Sequence, residues 1–203
     1  MVNKKNDDTQ ERILAASKKI FLVKGLSGAR MQDIADEAGI NKALLHYYFR
    51  NKEQLFETIF KEASAQFFPK IAGIIESNLP LFEKIEVFCK EYIDMIIQNP
   101  YMPLFVLTEV NKDPKRLKFR LWKDKESPFE KFIIQVEKEI KTKKIKSINP
   151  GHLFINMLSM CIFPFLSKPM WMLASGMDET QFNIFMEQRK TEIPKFIIDS
   201  IKK

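Results

Sequence analysis

The stretch from Arg30 to Lys52 gathers side chains suited to gripping a nucleic acid. Arg30 offers a planar donor fork, Tyr47 a phenol on a rigid ring, and Lys52 a cation near an expected helix N-terminus; each suits a phosphate oxygen. Gln32, Lys42, Ala43, Leu44 and His46 suit base edges, and Asn41, just before Lys42, completes the DNA-binding set. A lysine can meet guanine O6 and N7, a glutamine can pair with adenine, and a leucine can pack on a thymine methyl. Phosphate contacts position a protein on a duplex, and base-edge contacts select the sequence.

Such a set works only if short rigid elements present it. Ile13, Leu14, Ser17, Ile20 and Phe21 have helical spacing, which predicts a helix from Asp8 to Lys24, opened by an Asp8/Glu11 capping box and stopped by Gly25. Met31, Ile34, Ala35 and Ala38 predict a second, short helix ended by Gly39. Asn41 is a good N-cap for a third over Lys42 to Tyr48, and Asn51 for a fourth from Lys52 towards Phe68. Two short helices joined through Ala38-Gly39-Ile40-Asn41 form a helix-turn-helix. Ile40, Leu45, Tyr48 and Phe49 are expected to hold the third helix down, leaving Lys42, Ala43, His46 and Tyr47 on its free side.

Residues 9–60 resemble the DNA-binding head of the tetracycline-repressor (TetR) family. The resemblance is carried by Met31-Gln32-Asp33-Ile34-Ala35-Asp36-Glu37-Ala38-Gly39-Ile40-Asn41-Lys42 and by Leu45-His46-Tyr47-Tyr48-Phe49-Arg50-Asn51-Lys52-Glu53-Gln54-Leu55. Two positions depart from the family pattern. Ala29-Arg30 stands where a hydroxylated residue is common, so a guanidinium replaces a hydroxyl, and Leu44 stands where a small or hydroxylated residue is common. The resemblance implies double-stranded DNA as a partner, a palindromic operator, and a homodimer that places two reading helices about 34–36 Å apart. It also implies a regulator, commonly a repressor, released by a small-molecule inducer.

Composition agrees and excludes much else. The chain has 203 residues, 33 Lys+Arg against 26 Asp+Glu, 45% hydrophobic residues and only 6 Gly, which excludes disorder and disfavours a β-sandwich. Residues 1–53 hold 10 Lys+Arg and 7 Asp+Glu, a surplus of three cations that permits DNA binding without proving it. Cys89 and Cys161 stand apart in apolar sequence, with no CxxC pair, so buried reduced thiols are expected and no metal or cofactor is. No GxSxG, P-loop, zinc motif or Gly-rich dinucleotide turn points to an enzyme. The polar N-terminus and the short apolar runs lead us to expect a cytoplasmic protein without a membrane span.

Beyond residue 55 the period stays helical, so the expectation is an all-α chain: a three-helix head over residues 1–53 and a helical ligand-binding and dimerisation body over 54–203. Helices are expected over Leu81 to Gln98, Tyr101 to Val110, Ser127 to about Lys144, Pro150 to Phe163 with a kinked continuation to Ala174, and from Asp178 onward, interrupted at Pro194. Phe88, Tyr92, Phe105, Phe132, Met157, Met160 and Trp171 are the candidate walls of a lipophilic ligand pocket. Leu153, Met157, Phe182, Phe185, Met186, Arg189 and Phe196 are the candidate dimer stripe. The alternative is a ligand-independent DNA-binding or partner-binding factor with the same head.

Overall fold

A computed structural model describes residues 2–112 and 128–203, and not every side chain within them. Among these residues every regular element is a helix, apart from one isolated antiparallel pairing of Ile145 with Lys202. It divides into two compact units, residues 1–65 and 66–203. The division lies beyond the expected 53/54 boundary because Leu55, Phe56, Ile59 and Phe60 are all buried, and the Phe56 ring meets that of Phe21 edge-on at 6.0 Å. The start of the fourth helix is therefore part of the head's own core.

The first unit contains α1 (Val2–Gly28), α2 (Met31–Ala38), α3 (Lys42–Tyr48) and the first part of α4 (Lys52–Glu76). α1 begins before Asp8, so Asp8 lies inside a helix and does not open one. At Gly25 the backbone leaves helical geometry, with φ 65° and ψ 171°, a conformation open to glycine because it has no Cβ. The expected stop is thus a kink, after which helical turns resume to Gly28. α2 ends at Gly39, whose φ of 64° lets its own N–H reach Asp36 O at 3.1 Å and the Ile40 N–H reach Ala35 O at 3.0 Å. Ile13, Phe21, Ile34, Ala35 and Leu45 fill the space between α1, α2 and α3, each fully buried.

The second unit holds the rest of α4, then α5 (Leu81–Gln98), α6 (Met102–Lys112), α7 (Pro128–Lys141), α8 (Pro150–Leu166), α9 (Lys168–Ser175) and α10 (Glu179–Ile201). α5 matches its expected span and is central, burying Ile85, Phe88, Cys89, Ile93 and Ile96. α4 runs past Phe68 and through Pro69, which has no N–H for the carbonyl four residues earlier. The chain breaks at Ser167, and α9 leaves α8 at 73°. α10 opens on Asp178, whose carboxylate accepts the Gln181 N–H at 2.8 Å while the Gln181 side chain accepts the Asp178 N–H at 2.9 Å. It does not stop at Pro194: that ring is buried and the helix continues to Ile201, so packing outweighs one lost backbone bond. Ser127, expected at the start of a helix, lies outside the described residues. No single helix among the described residues is long and apolar enough to cross a membrane.

Candidate nucleic-acid interface

α3 is only seven residues long, so its ends govern its stability. Asn41 caps the first turn, its Oδ1 accepting the Leu44 N–H at 2.7 Å. Leu45 and Phe49 are buried and anchor one side, as the spacing predicts; Ile40 and Tyr48 are half-buried. The opposite side carries Lys42, Ala43, Leu44, His46 and Tyr47, all exposed, with Tyr47 at 78% and Leu44 at 37%. Tyr47 rests edge-on against Tyr48 at 5.4 Å.

Other groups are partly committed within the head. The His46 Nδ1 lies 3.1 Å from the Arg50 carbonyl oxygen. That carbonyl can only accept, so Nδ1 is the donor in this contact, and in the neutral ring Nε2 is an acceptor. Gln32 donates to Asp36 Oδ1 at 2.7 Å, leaving its own oxygen exposed. Arg30 is exposed at the N-terminus of α2, where its backbone N–H donates to Asp33 Oδ2 at 3.2 Å. The Asp33 carboxylate also meets Lys24 at 2.9 Å, and chiefly that contact, with the Arg30 N–H, holds its pKa below the usual value. Lys52 donates to Ser27 O and Ala29 O, both at 3.1 Å, so two of its three protons close the α1–α2 junction. Arg12 donates to Ala38 O at 2.6 Å and caps the turn between α2 and α3.

Two short helices around a glycine turn, one with a face pinned and the other side open, match known proteins in sequence. The model of the bacterial regulatory proteins, tetR family, matches residues 13–59, which span α1 through the start of α4. Over this stretch the chain is similar to the TetR family. Over 61 residues it is 36% identical to the transcriptional repressor NicS of Pseudomonas putida, covering 30% of this chain and 29% of that one. Over 85 residues it is 34% identical to the transcriptional regulator LmrA of Bacillus subtilis, covering 41% and 45%. The match thus spans less than half the length of either relative. In fold, the chain superposes on HlyIIR, a hemolysin II transcriptional regulator, with a TM-score of 0.64 at 22% identity over 97% and 98% of the two chains.

This head also contains features that spacing alone does not reveal. Arg12 and Lys52 act on backbone carbonyls brought close only by tertiary folding, and nothing in their neighbouring residues marks them for that role. In the second unit, Cys89 and Cys161, distant in sequence, share a hydrogen bond that, with burial, pushes the Cys161 thiol pKa up. Both are fully buried.

The body residues separate differently from their expected grouping. Phe88, Tyr92, Phe132 and Met157 are buried, and Phe154 joins their rings, 6.0 Å from Phe88 and 5.5 Å from Phe132. Trp171 stands apart from them, 40% exposed and stacked on Phe185 at 6.1 Å. Met160 is half-buried, and the Phe105 side chain lies outside the described set. Of the candidate dimer stripe, Leu153, Met157, Phe182 and Met186 are 0–1% exposed within one chain, so they form core and have no surface to offer a second copy. Helical spacing alone could not distinguish these two roles. Arg189 donates to Met160 O at 2.8 Å and lies 5.7 Å over the Phe185 ring, tying α10 to α8 inside the chain. Phe196, at 64%, is exposed.

Proposed function

We propose that this chain is a transcriptional regulator, acting as a repressor, that binds a palindromic DNA operator as a homodimer and is released by a small lipophilic ligand. The observation that carries the reading is the open side of α3, where Lys42, Ala43, Leu44, His46 and Tyr47 are exposed beside a buried Leu45. On a helix narrow enough for the major groove, Lys42 would address guanine, Leu44 a thymine methyl, and the His46 Nε2 a cytosine or adenine amino group. Tyr47 and Arg30 would take phosphates from the flanks, and Asn41 would hold the start of the helix. Lys52 contributes chiefly by fixing the junction behind α2, with one proton left for a phosphate.

One seven-residue helix touches too few bases to select a site, so pairing of two chains is part of the proposal. α8 supports it with an exposed row at Ile155, Ser159, Phe163 and Leu166, spaced along one helical face, and α10 adds Ile184 at 55% exposure. This row replaces the buried residues of the sequence-based stripe. For release by a ligand, the relevant connection is α4, which carries the chain across the 65/66 division. A ligand could shift operator affinity only by its differential affinity for two states, typically about 1–3 kcal/mol.

The test is binding of the full chain to duplex DNA across a salt series. The proposal expects affinity to fall steeply with salt, and Tyr47→Ala or Arg30→Ala to weaken binding on every sequence. Indifference of duplex affinity to salt and to both substitutions would refute it.

A further inference from the structure

The end of α4, the turn after it and one side of α7 line a cleft of about 490 Å³ that the DNA reading does not use. Its walls are cationic. α7 contributes Lys131, Gln135 and Lys138, at i, i+4 and i+7 and so on one face of the helix. Lys84 comes from α5 and is 2% exposed; its ammonium donates to Ile75 O and Ser77 O, both at 2.8 Å. Lys144 completes the rim.

The charges do not cancel. Lys131 faces Glu76 at 3.7 Å and Lys144 faces Glu139 at 3.5 Å, which accounts for both carboxylates in the cleft. Lys84 and Lys138 are left without a carboxylate partner among the described residues. Two uncompensated ammonium groups lining one concavity favour a ligand with two negative charges. Burial, with Lys131 nearby, lowers the Lys84 pKa, the direction expected of a cation that lacks an anion.

Gln135 adds a second, independent demand. Its Nε2 donates to Leu79 O at 2.9 Å, which fixes the amide, while its Oε1 is buried with no donor. A buried acceptor without a partner is costly. Rotation about the last torsion, at the expense of the Leu79 bond, would turn Oε1 towards a hydroxyl at the base of the cleft.

From this arrangement we infer that the cleft binds a small organic dianion bearing a hydroxyl donor, a hydroxydicarboxylate or a sugar phosphate, with Lys84 and Lys138 holding the charge and Gln135 accepting from the hydroxyl. This site would take its ligand whether or not the head binds DNA.

The experiment is titration calorimetry of the full chain at constant ionic strength with L-malate, succinate and glycerol 3-phosphate. Malate or glycerol 3-phosphate should saturate, and succinate, which lacks the hydroxyl, should bind about fivefold more weakly than malate. Whichever of the two saturates identifies the anion class. Lys138→Gln, an exposed substitution, should weaken binding about tenfold. Gln135→Met, of similar length, should abolish the preference for malate over succinate without abolishing dianion binding; a melting curve checks that it is folded, and Lys138→Gln carries the test if it is not. No saturation by malate or glycerol 3-phosphate up to about 20 mM, or binding unchanged by Lys138→Gln, would overturn the inference.

Discussion

The Lys52 ammonium donates to the Ala29 carbonyl at 3.1 Å, and to Ser27 O at the same distance. A cation at the start of α4 thereby closes the junction between α1 and α2, the point from which Arg30 and Gln32 project. Replacing it with an apolar chain of similar length leaves two carbonyls without their donor. Lys52→Met should lower the stability of the head by about 1–2 kcal/mol, read by urea unfolding. Unchanged stability would show that the two bonds contribute nothing net.

Asn41 allows stability and recognition to be separated. Asn41→Ala removes the oxygen that accepts the Leu44 N–H and should cost about 1 kcal/mol. Asn41→Asp keeps a capping oxygen and should retain stability, yet it places a negative charge where the proposal puts a phosphate-rich groove. Duplex affinity of Asn41→Asp should therefore fall sharply while its urea midpoint holds. If the two midpoints fell together, Asn41 would be a structural residue alone.

Asp33 sets a pH dependence whose sign follows from its contacts. Lys24 at 2.9 Å, helped by the Arg30 N–H, lowers its folded pKa below the model-peptide value of 3.8. The stabilisation is present above that unfolded value and is lost as pH falls through the lower, folded one. Carboxyl carbon shifts across a pH titration should place the Asp33 midpoint below 3.8, and Lys24→Gln should move it back up. A midpoint that ignored Lys24→Gln would contradict the assignment.

Cys89 and Cys161 lie in contact and fully buried. The hydrogen bond with Cys89 and burial disfavour the Cys161 thiolate, the form that acts as nucleophile, and burial shields both sulfurs from reagent. An aromatic disulfide reagent should therefore leave both unmodified in the native chain at neutral pH and label both once guanidinium unfolds it. Rapid labelling under native conditions would mean that the core opens far more readily than its packing implies.

The helix-turn-helix was readable in sequence because α2 and α3 are short and the turn and the caps around them have signals of their own. Gly39 marks one end with a positive φ, Asn41 and Asn51 cap the next two helices, and Asn51 does accept the Gln54 N–H at 2.8 Å. α5 was equally plain, with apolar residues at helical spacing between Pro80 and Asn99. What was not readable depended on neighbours distant in the chain. Met157 and Phe182 have the same spacing whether they face their own core or a second copy, so only burial separates the cases. Pro194 predicts a break by local chemistry, and tertiary packing overrides it. The pairing of Cys89 with Cys161 arises from α5 and α8 meeting, which no local pattern encodes.

Selection of bound sites from random duplex DNA by the full-length protein, followed by sequencing, bears most directly on the central claim that two α3 helices read DNA together. The account predicts an inverted repeat whose half-sites are about one helical turn apart, with the preferred base at a single position per half-site changed in the Leu44→Ala variant. Recovery of no enriched sequence, or of a single unrepeated site indifferent to Leu44→Ala, would contradict it.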